Sequence, residues 1–238
     1  MLYDRADPLS RDPGEHPMPN RVVTALAATA VLLATTAAPA TASTLPVSYH
    51  GGAGQLITVI ADSPTATTAV LTAWERHGSK WRAVHGPVTA NVGSQGIGQA
   101  SETTSKTPAG VWTLTEAFGI QANDGTRLPY RQVGTSDWWV SDTTSPLYNT
   151  YYHCDPGTCP FNEGAGEDLG KAGPVYDHAV VIDYNRTPVV PGAGSAFFLH
   201  VSAGKPTAGC VSIPADDLKA VMAWLDPAQH PVIDIAVQ

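Results

Sequence analysis

A thiol and an imidazole that could act as nucleophile and base lie ten positions apart near the end of the 238-residue sequence. In FFLHVSAGKPTAGCVSIP, His200 precedes Cys210. The thiolate form of cysteine attacks carbonyl carbons, and a neighbouring imidazole can take the thiol proton. Gly209 allows close approach to the backbone, and the amide of Cys210 could stabilise an oxyanion formed at its own sulfur. The pattern is moderately specific for a cysteine nucleophile that attacks carbonyls; a small apolar core residue is the alternative role for Cys210.

The other two cysteines, Cys154 and Cys159, flank a Pro-Gly turn in YYHCDPGTCP. In an oxidising compartment they are expected to form a local disulfide. A metal site with His153 as third ligand is the alternative, but no fourth ligand has metal-site spacing elsewhere in the chain. We therefore expect no metal.

The imidazole lies in a predicted strand, and the segment after it is short and rich in turn residues. Alternation in SAFFLHVSAG puts Ala196, Phe198 and His200 on one face of that strand and Phe197 and Leu199 on the other. The following SAGKPTAG predicts a hairpin that brings His200 beside Cys210.

The rest of the chain after residue 42 is typical of a mainly β domain, either a sandwich or a barrel-like sheet, with long loops. Residues 148–173 predict a long loop, and 76–79 predict a hairpin turn. One C-terminal amphipathic helix is predicted over 214–225, where Leu218, Val221, Met222 and Leu225 follow helical spacing. The predicted strands are 55–61, 69–76, 80–85, 110–115, 137–141, 178–184, 196–201 and 232–237.

Residues 1–42 are interpreted as an N-terminal extension and secretion signal. Arg21 precedes a short apolar run that ends in small residues with Ala-x-Ala spacing. We expect translation to start at Met18 and cleavage to follow Ala42, which would leave a domain of 43–238 without a stable membrane span. An uncleaved signal anchor is the alternative.

The chain has 13 Lys and Arg against 21 Asp and Glu, and its basic residues do not cluster. Nucleic acid is therefore not an expected partner.

The segment around Cys210 resembles the active-site segment of the L,D-transpeptidase catalytic domain, the YkuD-like family, in which a His precedes a Ser/Thr-x-Gly-Cys motif. SKTPAGVWTLTEAFG is similar to the family's Thr-Pro-x-Gly strand. LPYRQVGTSDWWVSDTTSPLYNTY and YDHAVVIDYN resemble a subgroup of exported actinobacterial proteins. The resemblance runs from about residue 55 to the C-terminus. It implies a secreted or cell-wall enzyme that acts on peptidoglycan stem peptides.

The implied mechanism has Cys210 attack the carbonyl of the third stem residue, a diamino acid, and expel the terminal D-alanine. His200 takes the thiol proton, and a second stem's amine resolves the thioester to give a 3→3 cross-link. Water in place of the amine would make the enzyme an L,D-carboxypeptidase. The remaining alternatives are a non-catalytic wall-binding relative and a small exported hydrolase of other amides. The reaction requires no organic cofactor.

Two departures from the family pattern concern the imidazoles. Ala208 stands where the common motif has a second His, and the spacing from His200 to Cys210 is shorter than in better-known members. His178 is the best candidate to replace the missing imidazole, and a purely structural role for this histidine is an equal alternative.

Aromatic and polar residues could form the walls of a substrate groove, with core positions as the alternative for the tryptophans. The expected substrate-binding residues are Trp139, Tyr148, Asn149 and Ser202.

Overall fold

The computed structural model describes residues 44–238, and the interpretation of the N-terminal segment lies outside these residues. Fifteen β-strands and one α-helix, α1 (Ala215–Trp224), form the described part, together with four short 3₁₀ turns. The mainly β prediction is confirmed. The strands are β1 (Gln55–Ala61), β2 (Thr68–His77), β3 (Lys80–Asn91), β4 (Ile97–Gly98), β5 (Thr107–Pro108), β6 (Gly110–Thr113), β7 (Ala117–Gly119), β8 (Tyr130–Gln132), β9 (Asp137–Val140), β10 (Tyr151–His153), β11 (Gly166–Asp168), β12 (Ala179–Val181), β13 (Phe198–Val201), β14 (Val211–Ile213) and β15 (Val232–Val237).

Ten strands form one sheet, in the order β6-β15-β1-β2-β3-β14-β13-β12-β7-β8. Strands β1, β2 and β3 form the predicted antiparallel meander, and the pair His77↔Lys80 closes its hairpin. The last strand, β15, pairs in parallel with β1 and antiparallel with β6. All seven residues of β1 are buried, which explains why the strand is mostly apolar, with Gln55 and Thr58 as its polar residues.

The main core lies between the sheet and α1. The helix begins after Pro214, carries Asp216 and Asp217 in its first turn and buries its apolar stripe, as its spacing predicts. This stripe packs in one cluster with strand residues such as Leu199 and Val211. A second cluster on the other face of the sheet contains Phe118, Trp139, Tyr176, Phe198 and Cys210.

The predicted long loop 148–173 contains secondary structure of its own. Strands β10 and β11 flank β9 in a three-stranded antiparallel sheet. The predicted disulfide is confirmed, because Cys154 and Cys159 are bonded just after β10. The cross-link uses both thiols that the alternative metal site would have required.

The predicted hairpin between His200 and Cys210 is wrong. Strands β13 and β14 pair in parallel, with Leu199 opposite Val211 and His200 opposite Ser212. The connecting residues 202–210 cannot make a tight turn because they pair with a distant segment: the Thr207 amide donates to Val92 O at 2.9 Å, and the Ser94 amide donates to Thr207 O at 2.9 Å. Among residues 44–238, no helix is long and apolar enough to cross a membrane.

Candidate active site

The parallel pairing of β13 and β14 puts the thiol and the imidazole on one face of the sheet. Since His200 is opposite Ser212, Cys210 lies one residue before β14, level with Phe198. Side chains two apart on a strand point to the same face, so Phe198, His200, Cys210 and Ser212 share it. Parallel pairing thus places Cys210 and His200 on the same face of neighbouring strands, with His200 two residues beyond the position level with Cys210.

The peptide of Cys210 is held in place by two threonine hydroxyls. Thr207 Oγ1 donates to the carbonyl of Cys210 at 2.6 Å, and Thr107 Oγ1 donates to it at 3.3 Å. Thr107 is fully buried and also accepts a hydrogen bond from the amide of Gly93 at 2.8 Å. These contacts connect the loop before Cys210 to the segment that contains β5.

Gly209 has a backbone conformation and surroundings that exclude a side chain. Its φ is +150°, and a Cβ placed there would lie 2.6 Å from Phe197 Cε1 and 3.1 Å from Lys106 O. Close packing of the backbone therefore explains why glycine precedes the nucleophile.

The hydrogen bonds of His200 leave one ring nitrogen available as a base. Nδ1 lies 2.9 Å from the carbonyl oxygen of Val201. Because a carbonyl only accepts, Nδ1 carries the hydrogen, and in the neutral ring Nε2 keeps its lone pair. Burial lowers the pKa of His200, and the bond to Val201 opposes this shift. The ring also packs edge-on against Tyr176, with 5.4 Å between centroids.

The thiol of Cys210 is buried and in its neutral form donates to the carbonyl of Ala196, 3.4 Å from Sγ. Burial, aided by the negative charge of Glu167, raises the pKa of Cys210 to about 12. Hydrogen bonds from the Phe198 amide and the Tyr176 hydroxyl act in the opposite direction. The raised pKa keeps the Cys210 thiol neutral in this structure.

Tyr176, which is buried, and Glu167, which is partly buried, form a pair beside the thiol. The Tyr176 hydroxyl donates to Glu167 Oε2 at 2.6 Å, and burial raises the pKa of both groups. One hydroxyl hydrogen cannot serve the carboxylate and a thiolate together, so Glu167 competes with the nucleophile for this donor. The sequence analysis missed both residues. Tyr176 lies two residues before a predicted strand, whereas a single glutamate in a Gly-rich loop carries no signal.

Cys210 opens onto a cavity of about 330 Å³. The backbone of residues 208–210 forms one wall, residues 164–167 form a second, and Glu102 and Ser195 lie on a third. A substrate group that enters this cavity can therefore reach Cys210.

The model of the YkuD family, the L,D-transpeptidase catalytic domain, matches residues 57–233. The chain belongs to this family. No curated protein and no solved structure matches the chain. Family membership implies cysteine-dependent catalysis of the L,D-transpeptidase type on peptidoglycan.

In this L,D-transpeptidase domain, His178 is not beside Cys210. It lines a different cavity, of about 490 Å³, together with Asp177, Val201 and Lys219. The side chain is buried, and Nε2 lies 3.2 Å from Ala122 O. The structure therefore does not bring His178 to the position left open by Ala208.

Three of the expected substrate-binding residues, Trp139, Tyr148 and Asn149, are buried in the L,D-transpeptidase domain. Asn149 Oδ1 accepts from Trp139 Nε1 at 2.9 Å and from the Ala196 amide at 3.2 Å. Its Nδ2 donates to the carbonyls of residues 184 and 185. In this arrangement Asn149 supports Ala196, the residue whose carbonyl accepts from the thiol.

The fourth, Ser202, is partly exposed at the end of β13. Its hydroxyl donates to Asn91 Oδ1 at 2.7 Å and accepts from the Gly204 amide at 3.0 Å. These bonds position the start of the loop that leads to Cys210.

Proposed function

We propose that this chain is an exported L,D-transpeptidase that makes 3→3 cross-links in peptidoglycan through an acyl-enzyme on Cys210. The observation that carries the proposal is the shared face of Cys210 and His200, with the Nε2 lone pair of the neutral imidazole available as a base. A binding module would have no use for this pair.

In the first half-reaction, Sγ of Cys210 attacks the carbonyl carbon of the third stem residue while the thiol proton passes to His200 Nε2. The amide of Cys210 donates to the oxyanion, a contact typically worth about 3 kcal/mol. The bond to the terminal D-alanine then breaks, and His200 returns the proton to the leaving amine. The product is a thioester on Cys210 and free D-alanine.

In the second half-reaction, the side-chain amine of another stem attacks the thioester carbon. His200 takes a proton from the amine, the carbon–sulfur bond breaks, and Cys210 regains its hydrogen. Attack by water instead would give a tripeptide stem, the product of an L,D-carboxypeptidase. Both outcomes share the same acyl-enzyme.

Two observations support export. The disulfide Cys154–Cys159 is of the kind that persists in oxidising compartments. The apolar segment before Ala42 has the composition of a secretion signal. Export would bring the enzyme to its substrate in the cell wall.

Intact-mass analysis of the reduced, folded domain after incubation with a carbapenem tests the proposal, because the family resemblance implies that this drug acylates Cys210. One adduct is expected on the native chain and none on Cys210→Ala. Absence of an adduct on the native chain would overturn the catalytic proposal. Tetrapeptide stems then separate the two activities: a cross-linked dimer indicates a transpeptidase, and tripeptide alone indicates a carboxypeptidase.

A further inference from the structure

Glu102 is an exposed residue whose carboxylate is nevertheless held by two hydroxyl groups. Tyr148 donates to Oε1, and Ser195 Oγ donates to the same oxygen at 2.7 Å. Tyr148 is only 1% exposed, and its hydroxyl oxygen accepts from the Gly194 amide at 3.1 Å, so this donor is rigid. Fixing a glutamate side chain costs conformational entropy. The two donors offset that cost and order the carboxylate.

The ordered carboxylate lies in the cavity of the nucleophile. Glu102, Ser195, Gly209 and Cys210 all line the same space of about 330 Å³. Ser141 hydrogen-bonds Ser195 Oγ at 2.7 Å. Ser195 Oγ is thus held between Ser141 Oγ and the carboxylate of Glu102. Both donors act on Oε1, and Oε2 of Glu102 receives no hydrogen bond from residues 44–238.

The cavity has a negative charge balance. Of its lining residues, Glu102 and Glu167 are acidic, and no lysine or arginine belongs to the lining. Glu167 Oε2 accepts the hydroxyl hydrogen of Tyr176, so each carboxylate keeps one oxygen that receives no hydrogen bond from residues 44–238; Glu102 is the exposed one, and two hydroxyl donors fix its position. Such a fixed oxygen in a confined cavity complements a cationic hydrogen-bond donor.

We propose that Glu102 is a specificity-determining residue that binds a primary ammonium group of the substrate in the cavity of Cys210, with Tyr148 and Ser195 as its positioning residues. This inference rests on the proposed function. The ammonium would belong to the side chain of the diamino acid at the third stem position. Both the donor stem and the acceptor stem carry such a group, and the carboxylate can recognise either one.

The test compares Glu102→Gln with the native enzyme in two arms. In the donor arm, D-alanine release is measured from tetrapeptides whose third-residue amine is free or acetylated. In the acceptor arm, the acyl-enzyme made from the acetylated donor is mixed with increasing concentrations of a free-amine acceptor. If the donor amine is the ligand, the free-to-acetylated ratio of kcat/KM falls about tenfold in the variant. If the acceptor amine is the ligand, its KM rises by a similar factor and the donor ratio stays constant.

Two further variants control the test. Glu75 lies on β2, outside the cavity, and forms an exposed ion pair with Arg82. Glu75→Gln should therefore leave the donor ratio and the acceptor KM as they are in the native enzyme. Tyr148→Phe keeps the charge of Glu102 but removes one donor to Oε1, so it should produce a smaller change in the same arm as Glu102→Gln.

The inference is overturned if Glu102→Gln alters neither the donor ratio nor the acceptor KM in an active enzyme. A native enzyme that releases no D-alanine from any donor and forms no carbapenem adduct would instead refute the proposed function, so the two failures are distinguishable.

Discussion

The thiol of Cys210 donates to the carbonyl of Ala196, which has a left-handed backbone with φ of 57°. This conformation is costly for a residue other than glycine, because Cβ crowds the following carbonyl. Asn149 maintains it through the bond from the Ala196 amide. The resting geometry of the nucleophile therefore depends on a buried side chain outside the cavity lining.

Replacing Asn149 with alanine tests this dependence. The change leaves several buried polar groups without partners, and each such group costs about 1–3 kcal/mol. We expect the free energy of unfolding to fall by about 3 kcal/mol and carbapenem acylation of Cys210 to slow. Denaturant unfolding and timed intact-mass analysis measure the two effects. Asn123→Ala, which removes three hydrogen bonds from an exposed turn, is the control and should leave acylation unchanged.

The acylation rate should fall at low pH as His200 becomes protonated. Burial lowers its pKa below the ordinary 6.5, so the neutral base persists as the pH falls through that value. We expect a midpoint for kcat/KM below pH 6.5. A midpoint above 6.5 would contradict the assignment of His200 as the base.

The same group links folding stability to pH. Because folded His200 binds a proton less readily than the unfolded chain does, its contribution to stability is complete above the unfolded pKa and is lost as the pH falls towards the folded pKa. His200→Gln should remove this component from the pH profile of thermal unfolding. If the dependence of the unfolding temperature on pH has the same slope in the native protein and in the variant, His200 does not cause the loss of stability at low pH.

Glu167 and Tyr176 should change the reactivity of Cys210 in opposite directions. Glu167→Gln removes a negative charge beside the thiolate, so the pKa of Cys210 should fall and alkylation by iodoacetamide at fixed pH should accelerate. Tyr176→Phe removes a donor, so alkylation should slow. A factor of about three to ten is expected for each change. If both variants shift the rate in the same direction, the competition between carboxylate and thiolate for the hydroxyl hydrogen is refuted.

A methyl group at Gly209 should disturb both the fold and the chemistry. In Gly209→Ala the new Cβ would meet Phe197 Cε1 at 2.6 Å, and relieving that clash must move the loop before the thiol. We expect a loss of about 2 kcal/mol of stability and little acylation. Gly52→Ala is the control because a Cβ there meets nothing within 4 Å. Native-like acylation of Gly209→Ala would mean that the backbone approach is not needed.

Loss of the disulfide should lower the free energy of unfolding without changing the rate of acylation. The bond closes a loop with a sequence separation of 5, for which the chain-entropy model predicts about 2 kcal/mol. Neither cysteine lines the cavity of Cys210. A Cys154→Ser, Cys159→Ser double variant should unfold at lower denaturant concentration and still form the carbapenem adduct at the native rate. A large loss of acylation would instead show that the cross-link supports the cavity.

Local sequence patterns were sufficient for several elements of the fold. The runs at 55–61 and 232–237 match β1 and β15 to the residue, because both are apolar segments between turn residues. The parallel pairing of these two strands was not predictable, since it joins opposite ends of the described chain. For the same reason the loop 202–210 was misread: its partners Val92, Ser94 and Thr107 are about a hundred positions away.

Residues of the candidate site could be selected from the sequence where the residue type carries its own chemistry. Cys210, His200 and Gly209 stood out by their spacing. Ala196 did not, because nothing in an alanine signals a left-handed backbone, and Glu102 did not, because its role depends on two hydroxyls that are distant in sequence. Such contributions arise only when the sheet brings remote segments together.

The position of β15 between β1 and β6 also has a consequence for biosynthesis. The strand made last has to insert between two strands made much earlier, so β1 keeps an unsatisfied edge until residues 232–237 have emerged. A contact of such long range is slow to form. This order of assembly would suit the proposed export, because a polypeptide that threads a membrane unfolded would complete its sheet only after residues 232–237 have crossed.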